Sequence, residues 1–123
     1  MKKVLITGGA GFIGSSLVLA LKDSYEVYVL DNLDPQIHGQ KGEESYTYNL
    51  IKNNCHFIHG DVCDKENWQN ALNFGIDTIV HLAAQTGTGQ SMYEAESYTR
   101  NNCLGTAILG DLLQKNDTVQ KIV

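Results

Sequence analysis

The 123-residue sequence predicts an α/β fold, a parallel sheet with helices on both faces. Three observations point to it. The strand-like run Lys3-Val4-Leu5-Ile6-Thr7 feeds directly into Gly8-Gly9-Ala10-Gly11-Phe12-Ile13-Gly14, and a helical pattern follows without a break. Short apolar runs then alternate with longer amphipathic ones along the chain, the order expected of strands joined by crossover helices. A second strand-like run, Glu26-Val27-Tyr28-Val29-Leu30-Asp31, ends in a carboxylate about 20 residues beyond the central glycine.

Each element follows from its pattern. After the first strand, Ile13, Leu17, Ala20 and Leu21 recur at helical spacing and are expected to face the sheet. Residues 32–53 are polar, contain the lone proline, Pro35, and read as a surface excursion with a short helix around Tyr48, Leu50 and Ile51. A third strand, Cys55-His56-Phe57-Ile58-His59, ends at Gly60-Asp61-Val62. A helix from about Asp64 turns Trp68, Ala71 and Leu72 inward, and Gly75 stops it. The fourth strand is Thr78-Ile79-Val80-His81-Leu82, and a long helix from near Ser91 to Gln114 packs Leu104, Ile108 and Leu112. Lys121-Ile122-Val123 reads as the start of a fifth strand. Right-handed crossovers predict the sheet order 3-2-1-4, with the fifth strand beside the fourth and a ligand crevice between strands 1 and 4. A fifth strand this short is expected to leave strand 4 as an edge exposing Ile79, Val80 and Leu82.

The length and a hydrophobic fraction of 42% suit one domain covering residues 1–123. A net charge of −5 with only nine basic residues argues against nucleic acid or an anionic membrane as the main partner. Cys55, Cys63 and Cys103 are odd in number and lack metal-ligand spacing, so they read as small core residues of a reduced, cytoplasmic protein. Met1-Lys2-Lys3 and the apolar residues after it imitate an export signal, but the glycines at 8, 9, 11 and 14 interrupt the apolar stretch. No run reaches membrane-spanning length, so neither an export nor a transmembrane segment is expected.

The glycine turn has a physical reading of its own. Its first turn is tighter than a β-carbon allows, a middle glycine lets backbone approach a pyrophosphate, and Gly14 lets the new helix pack on the strand. Free amides and the positive end of the helix dipole then receive phosphate. With Asp31 placed to accept from the adenosine ribose, this is a dinucleotide-binding pattern. A 2′-phosphate would meet Asp31 and Asp34 with no Lys or Arg before Lys41, so NAD is expected over NADP.

Thr7–Gly14, Leu30-Asp31-Asn32-Leu33, Gly60-Asp61-Val62, His81-Leu82-Ala83-Ala84 and Asn102-Cys103-Leu104-Gly105-Thr106 together resemble the extended short-chain dehydrogenase family of nucleotide-sugar epimerases and dehydratases. Asp31–Gly39 and Gly87–Glu94 look like its dTDP-L-rhamnose 4-epimerase group. The resemblance implies a partial Rossmann fold and NAD as cofactor. It places Gly8, Gly11, Phe12, Ile13 and Gly14 at the pyrophosphate and Asp31, Asn32 and Leu33 at the adenosine ribose. Asp61 and Val62 would flank adenine, and Leu82, Ala83 and Ala84 would line the path to the nicotinamide ribose. Asn102 would hydrogen-bond near the cofactor or hold its helix against that loop. Two plainer roles stay open: Asp61 capping the next turn, and Asn102 satisfied within its helix. Thr86, Gln90 and Ser91, after strand 4, suit a nucleotide-sugar substrate, with Ser91 as a helix N-cap the alternative.

The family's chemistry also needs a tyrosine base, a lysine four residues later and a Ser or Thr that holds substrate. These are expected beyond the fifth strand, so no catalytic residue is assigned here and the chain alone is expected to be inactive. Tyr48-Asn49-Leu50-Ile51-Lys52 imitates the spacing, but on the adenosine side of the sheet. His81, His56 and His59 have no triad or metal spacing around them, and His81 reads as structural. The implied mechanism is redox-neutral, with hydride moved from a sugar carbon to NAD and back. An epimerase, a 4,6-dehydratase and a non-catalytic NAD- or partner-binding module all fit these residues. The family often dimerises, so a homodimer is expected, though its usual helices are only partly present.

Overall fold

β1 (Lys3–Thr7), β2 (Glu26–Asp31), β3 (His56–His59), β4 (Thr78–His81) and β5 (Lys121–Ile122) form one parallel sheet in the order β3-β2-β1-β4-β5. This is a computed structural model, and it describes residues 1–84 and 93–123, without the side chains of Gln36 and Asn101. The order is the expected one. Helices cover both faces, so β1 and β2 are buried on both sides and read as continuous apolar runs rather than alternating ones.

Successive residues of β1 feed two cores. Val4 and Ile6 join Val27, Val29, Val18, Leu33 and Ile51 under α1 (Phe12–Leu21) and a short helix in the 32–53 excursion, Tyr46–Ile51. Leu5 joins Leu30, Ile79, Trp68, Ala71, Leu72 and Leu109 on the other face, where the helices are Lys65–Leu72 and Gly105–Leu113. In chain order, α2 is Pro35–His38, α3 is Tyr46–Ile51, α4 is Lys65–Leu72, α5 is Ala95–Thr99 and α6 is Gly105–Leu113. Local chemistry sets their ends: the Ser45 hydroxyl accepts from Tyr48 N (3.3 Å), and the Asp64 carboxylate accepts from Glu66 N (2.9 Å). Trp68, Ala71 and Leu72 are buried and Gly75 follows α4, as expected.

Four expectations are corrected. On α1 the buried stripe is Gly14, Ser15 and Val18, whereas Ile13 and Ala20 are exposed. The close seat of Gly14 on the glycine turn sets the helix phase, and it rotates Ile13 off the sheet. The long helix is not uniform: α5 and α6 are joined by a π-helical turn, Arg100–Leu104, and the expected start at Ser91 lies outside the described residues. The wider turn shifts the inward phase, so Leu109 is buried and Leu104 is 39% exposed. Strand 4 is not a bare edge. Val123 N donates to Ile79 O and His81 N to Val123 O, both at 2.9 Å, and Ile79 is fully buried. Finally, of the cysteines expected in the core, Cys55 is half-buried and packs against it, Cys63 is half-buried and Cys103 is exposed on the π turn.

The 32–53 excursion is more ordered than its composition suggests. Pro35 opens α2, where its missing N–H is not needed, and Leu33 and His38 are both buried. No helix among the described residues is long and apolar enough to cross a membrane.

Candidate cofactor site

A crevice of about 330 Å³ opens at the carboxyl ends of β1, β2, β3 and β4, where the strand order reverses. Its walls are Gly8, Gly11, Phe12, Ile13, Gly14, Leu30, Asp31, Asn32, Asp34, Ile37, His38, Gly60, Asp61, Val62, Leu82, Ala83 and Ala84.

The floor is the glycine turn. Gly8 has φ 69°, its N–H donates to Leu30 O (2.9 Å), and a β-carbon there would lie 2.9 Å from Ala83 N. Gly11 N–H donates back to Gly8 O (3.0 Å). A β-carbon on Gly14 would fall on Gly8 O and Gly9 Cα, so only glycine lets α1 begin this close to the strand. The first bond of the helix is Ser15 N to Gly11 O (2.9 Å). The amides of Phe12, Ile13 and Gly14 precede it and lack helical acceptors, and Gly11 carries no capping side chain. Donors and the positive dipole end therefore converge where an anion can sit. Phe12 and Ile13, 85% and 68% exposed, stand at the crevice mouth.

Asp31 is buried and already engaged. Oδ2 accepts from Ala10 N (3.0 Å), and Oδ1 accepts from Leu33 N (2.8 Å). Each carboxylate oxygen has a second lone pair, so the group still has acceptor capacity for a ribose hydroxyl. Leu33 has φ 53°, an uncommon state for a residue with a branched side chain, and the Asp31 bond helps hold it. His38 Nε2 lies 3.9 Å from Asp31 Oδ1.

Across the crevice, Asp61 performs the turn role left open above: its Oδ1 accepts from Cys63 N (2.8 Å) while it also lines the cavity. Val62 is buried, its carbonyl accepts from Trp68 Nε1 (2.6 Å), and Gly105 packs against its side chain. The buried Thr7 hydroxyl secures the fourth wall. It accepts from Ala83 N (3.1 Å) and can give its own proton to His81 Nδ1, 2.6 Å away. His81 Nε2–H then donates to Thr106 Oγ1 (2.9 Å), across to α6. Burial holds the His81 pKa below its usual value. His81 is thus a neutral brace, as expected.

The structure brings together all but two of the described residues expected at the cofactor. Leu33 is buried behind the crevice, engaged through its amide, and Asn102 sits on the π turn, exposed and outside the lining. Thr86, Gln90 and Ser91 lie outside the described residues. Tyr48 packs edge-on against Phe57 (centroids 4.9 Å apart), away from the crevice. Four lining residues were not assigned to the cofactor by sequence reasoning: Leu30, Ile37, His38 and Gly60; Asp34, expected to face a 2′-phosphate, lines the crevice too. For Ile37 and His38, Pro35 as a helix start was the available signal. Among the described residues, no group of His, Cys, Asp or Glu is arranged for a metal. Burial raises the Cys55 thiol to about 11 and also raises that of Cys63, so neither offers a thiolate near neutrality. A glycine cradle that a β-carbon would fill, a helix start with free donors and an acid opposite fit a dinucleotide.

Known proteins agree with this geometry. The model of the NAD dependent epimerase/dehydratase family matches residues 4–123. The chain is 39% identical over 117 residues to dTDP-L-rhamnose 4-epimerase of Burkholderia thailandensis, covering 94% of this chain and 31% of that protein. It is 37% identical over 109 residues to human dTDP-D-glucose 4,6-dehydratase, covering 88% and 31%. The crystal structure of Thermus thermophilus UDP-glucose 4-epimerase in complex with NAD superposes with a TM-score of 0.80 at 31% identity, over 98% of this chain and 36% of that one. The chain spans about a third of the length of these relatives. With its fold and nearly its whole length matched, the chain belongs to the NAD dependent epimerase/dehydratase family.

Proposed function

We propose that this chain is the NAD-binding part of a nucleotide-sugar epimerase, in the finer reading a dTDP-sugar 4-epimerase, and that residues 1–123 form the N-terminal portion of its Rossmann domain. The glycine turn, whose free amides open into the crevice at the strand-order reversal, carries this reading. A nicotinamide dinucleotide held here would supply reversible hydride storage for a sugar carbon. The chain's own residues bind and orient. The amides of Phe12, Ile13 and Gly14 receive the pyrophosphate, Asp31 accepts from the adenosine ribose with Asn32 beside it, and Asp61 and Val62 flank adenine. Leu82, Ala83 and Ala84, held by Thr7, border the nicotinamide end. Leu33 acts through its amide on Asp31, and Asn102 acts by holding its helix. Thr86, Gln90 and Ser91 are proposed to meet the sugar.

The chain is proposed to lack its own acid–base pair and to be inactive alone. The described crevice lining contains no Lys or Arg, and it carries Asp31, Asp34 and Asp61, which supports NAD over NADP. The free thiols fit the cytoplasm, and a homodimer is the proposed assembly. The 4,6-dehydratase is the second reading, since the identity to such an enzyme, 37%, is close to the 39% to the epimerase.

The test is a longer coding sequence and its product. A Tyr-x-x-x-Lys in the next strand–helix unit, with conversion of dTDP-L-rhamnose to its 4-epimer, supports the proposal. Loss of water from dTDP-glucose by that product indicates the dehydratase. Sugar turnover by the 123-residue chain alone contradicts the proposed division of labour.

A further inference from the structure

One buried polar side chain faces the crevice from α2, an element separate from the glycine turn and from β2. His38 is 8% exposed and lies between two polar partners. Its Nδ1 is 3.0 Å from Ser45 Oγ, and its Nε2 is 3.9 Å from Asp31 Oδ1. The Ser45 hydroxyl, which accepts from Tyr48 N, can give its proton to Nδ1, and in that tautomer the ring proton sits on Nε2, toward Asp31. A separation of 3.9 Å is too long for a hydrogen bond, yet short enough for the ring N–H dipole to act on the carboxylate. Asp31 is thus held by Ala10 N and Leu33 N, with the His38 ring facing it from a third side.

Position adds to orientation. His38 and Ile37 form the crevice wall next to Asp31, and Asp34 and Asp61 line the same cavity. No Lys or Arg is among the described lining residues; the wall beside Asp31 is an imidazole, and carboxylates border it. A ribose carrying two free hydroxyls adds no charge there. A phosphorylated ribose brings about two negative charges and needs the space the ring occupies.

We propose that His38 determines which dinucleotide the site accepts, holding Asp31 oriented toward two uncharged vicinal hydroxyls and filling the space a ribose phosphate would need. This rests on the cofactor reading above. A purely structural tie would behave differently, because loosening residues 34–51 would weaken both dinucleotides by the same factor.

The test is calorimetric titration of the 123-residue chain and its His38→Ala, His38→Gln and Ser45→Ala variants with NAD and, separately, NADP. The unaltered chain prefers NAD. His38→Ala lowers the NAD:NADP affinity ratio by about tenfold, through the lost ring dipole on Asp31 and the room opened beside it. His38→Gln keeps an N–H donor and some bulk, and it recovers most of the ratio. Ser45→Ala, which frees the ring, lowers the ratio about threefold and serves as the readout if His38→Ala does not fold. Ratios within twofold of the unaltered chain in the folded alanine variants overturn the inference alone, as does a Gln variant no better than Ala. An unaltered chain that binds neither dinucleotide overturns the cofactor reading and this inference with it.

Discussion

Asp31 performs two tasks with one carboxylate. Its oxygens accept two backbone amides that shape the crevice, and it faces the cavity with lone pairs to spare. Asp31→Asn sets an amide nitrogen against one of those backbone donors. We expect a loss of about 1–3 kcal/mol in stability, read from denaturant unfolding, and at least a tenfold loss in NAD affinity by calorimetry. At His81 the consequence concerns pH. Burial lowers its folded pKa below the ordinary 6.5, so the unfolded chain takes up the proton more readily. Its contribution to stability is complete above that pH and is lost as pH falls from 6.5 toward the folded value. Urea midpoints measured from about pH 8 to about pH 5 fall on the acid side, and His81→Gln falls less steeply. Asp31 and the glycines were legible in the sequence because their roles depend on spacing near a strand end. His38 was not, since a polar residue in a polar stretch carries no mark of burial, and the contact that buries it comes from Ser45 seven residues on.

At the scale of elements, two glycines at helix ends separate stability from binding. Gly75 has φ 77° and open space around its missing β-carbon. Gly75→Ala therefore costs about 1 kcal/mol of backbone strain and leaves cofactor affinity unchanged. Gly14→Ala forces a β-carbon into the backbone of Gly8 and Gly9, costing about 1–3 kcal/mol and moving the helix start that supplies the amides. Thermal unfolding and NAD titration of both variants distinguish the two kinds of glycine. The same contact explains a misread helix. Apolar periodicity located α1, but its phase is set by Gly14, which scores as neither apolar nor polar, so Ile13 was assigned inward and stands at the crevice mouth. The helix after strand 4 was foreseen, but its π turn was not, because an extra residue in one turn leaves the composition unaltered.

At the scale of the molecule, sheet order was legible because handedness and the glycine turn leave few topologies for this alternation of elements. Long-range polar ties were not legible. Thr7 to His81 to Thr106 joins β1, β4 and α6 across a hundred residues of chain, and no local pattern announces it. These ties hold the four crevice walls in register before any ligand arrives, so binding needs little rearrangement. The central claim is that this preformed crevice binds NAD, and calorimetric titration of the 123-residue chain with NAD tests it most directly. The account predicts saturable one-to-one binding that Gly14→Ala removes; no heat at millimolar NAD, or binding that survives Gly14→Ala unchanged, would contradict it.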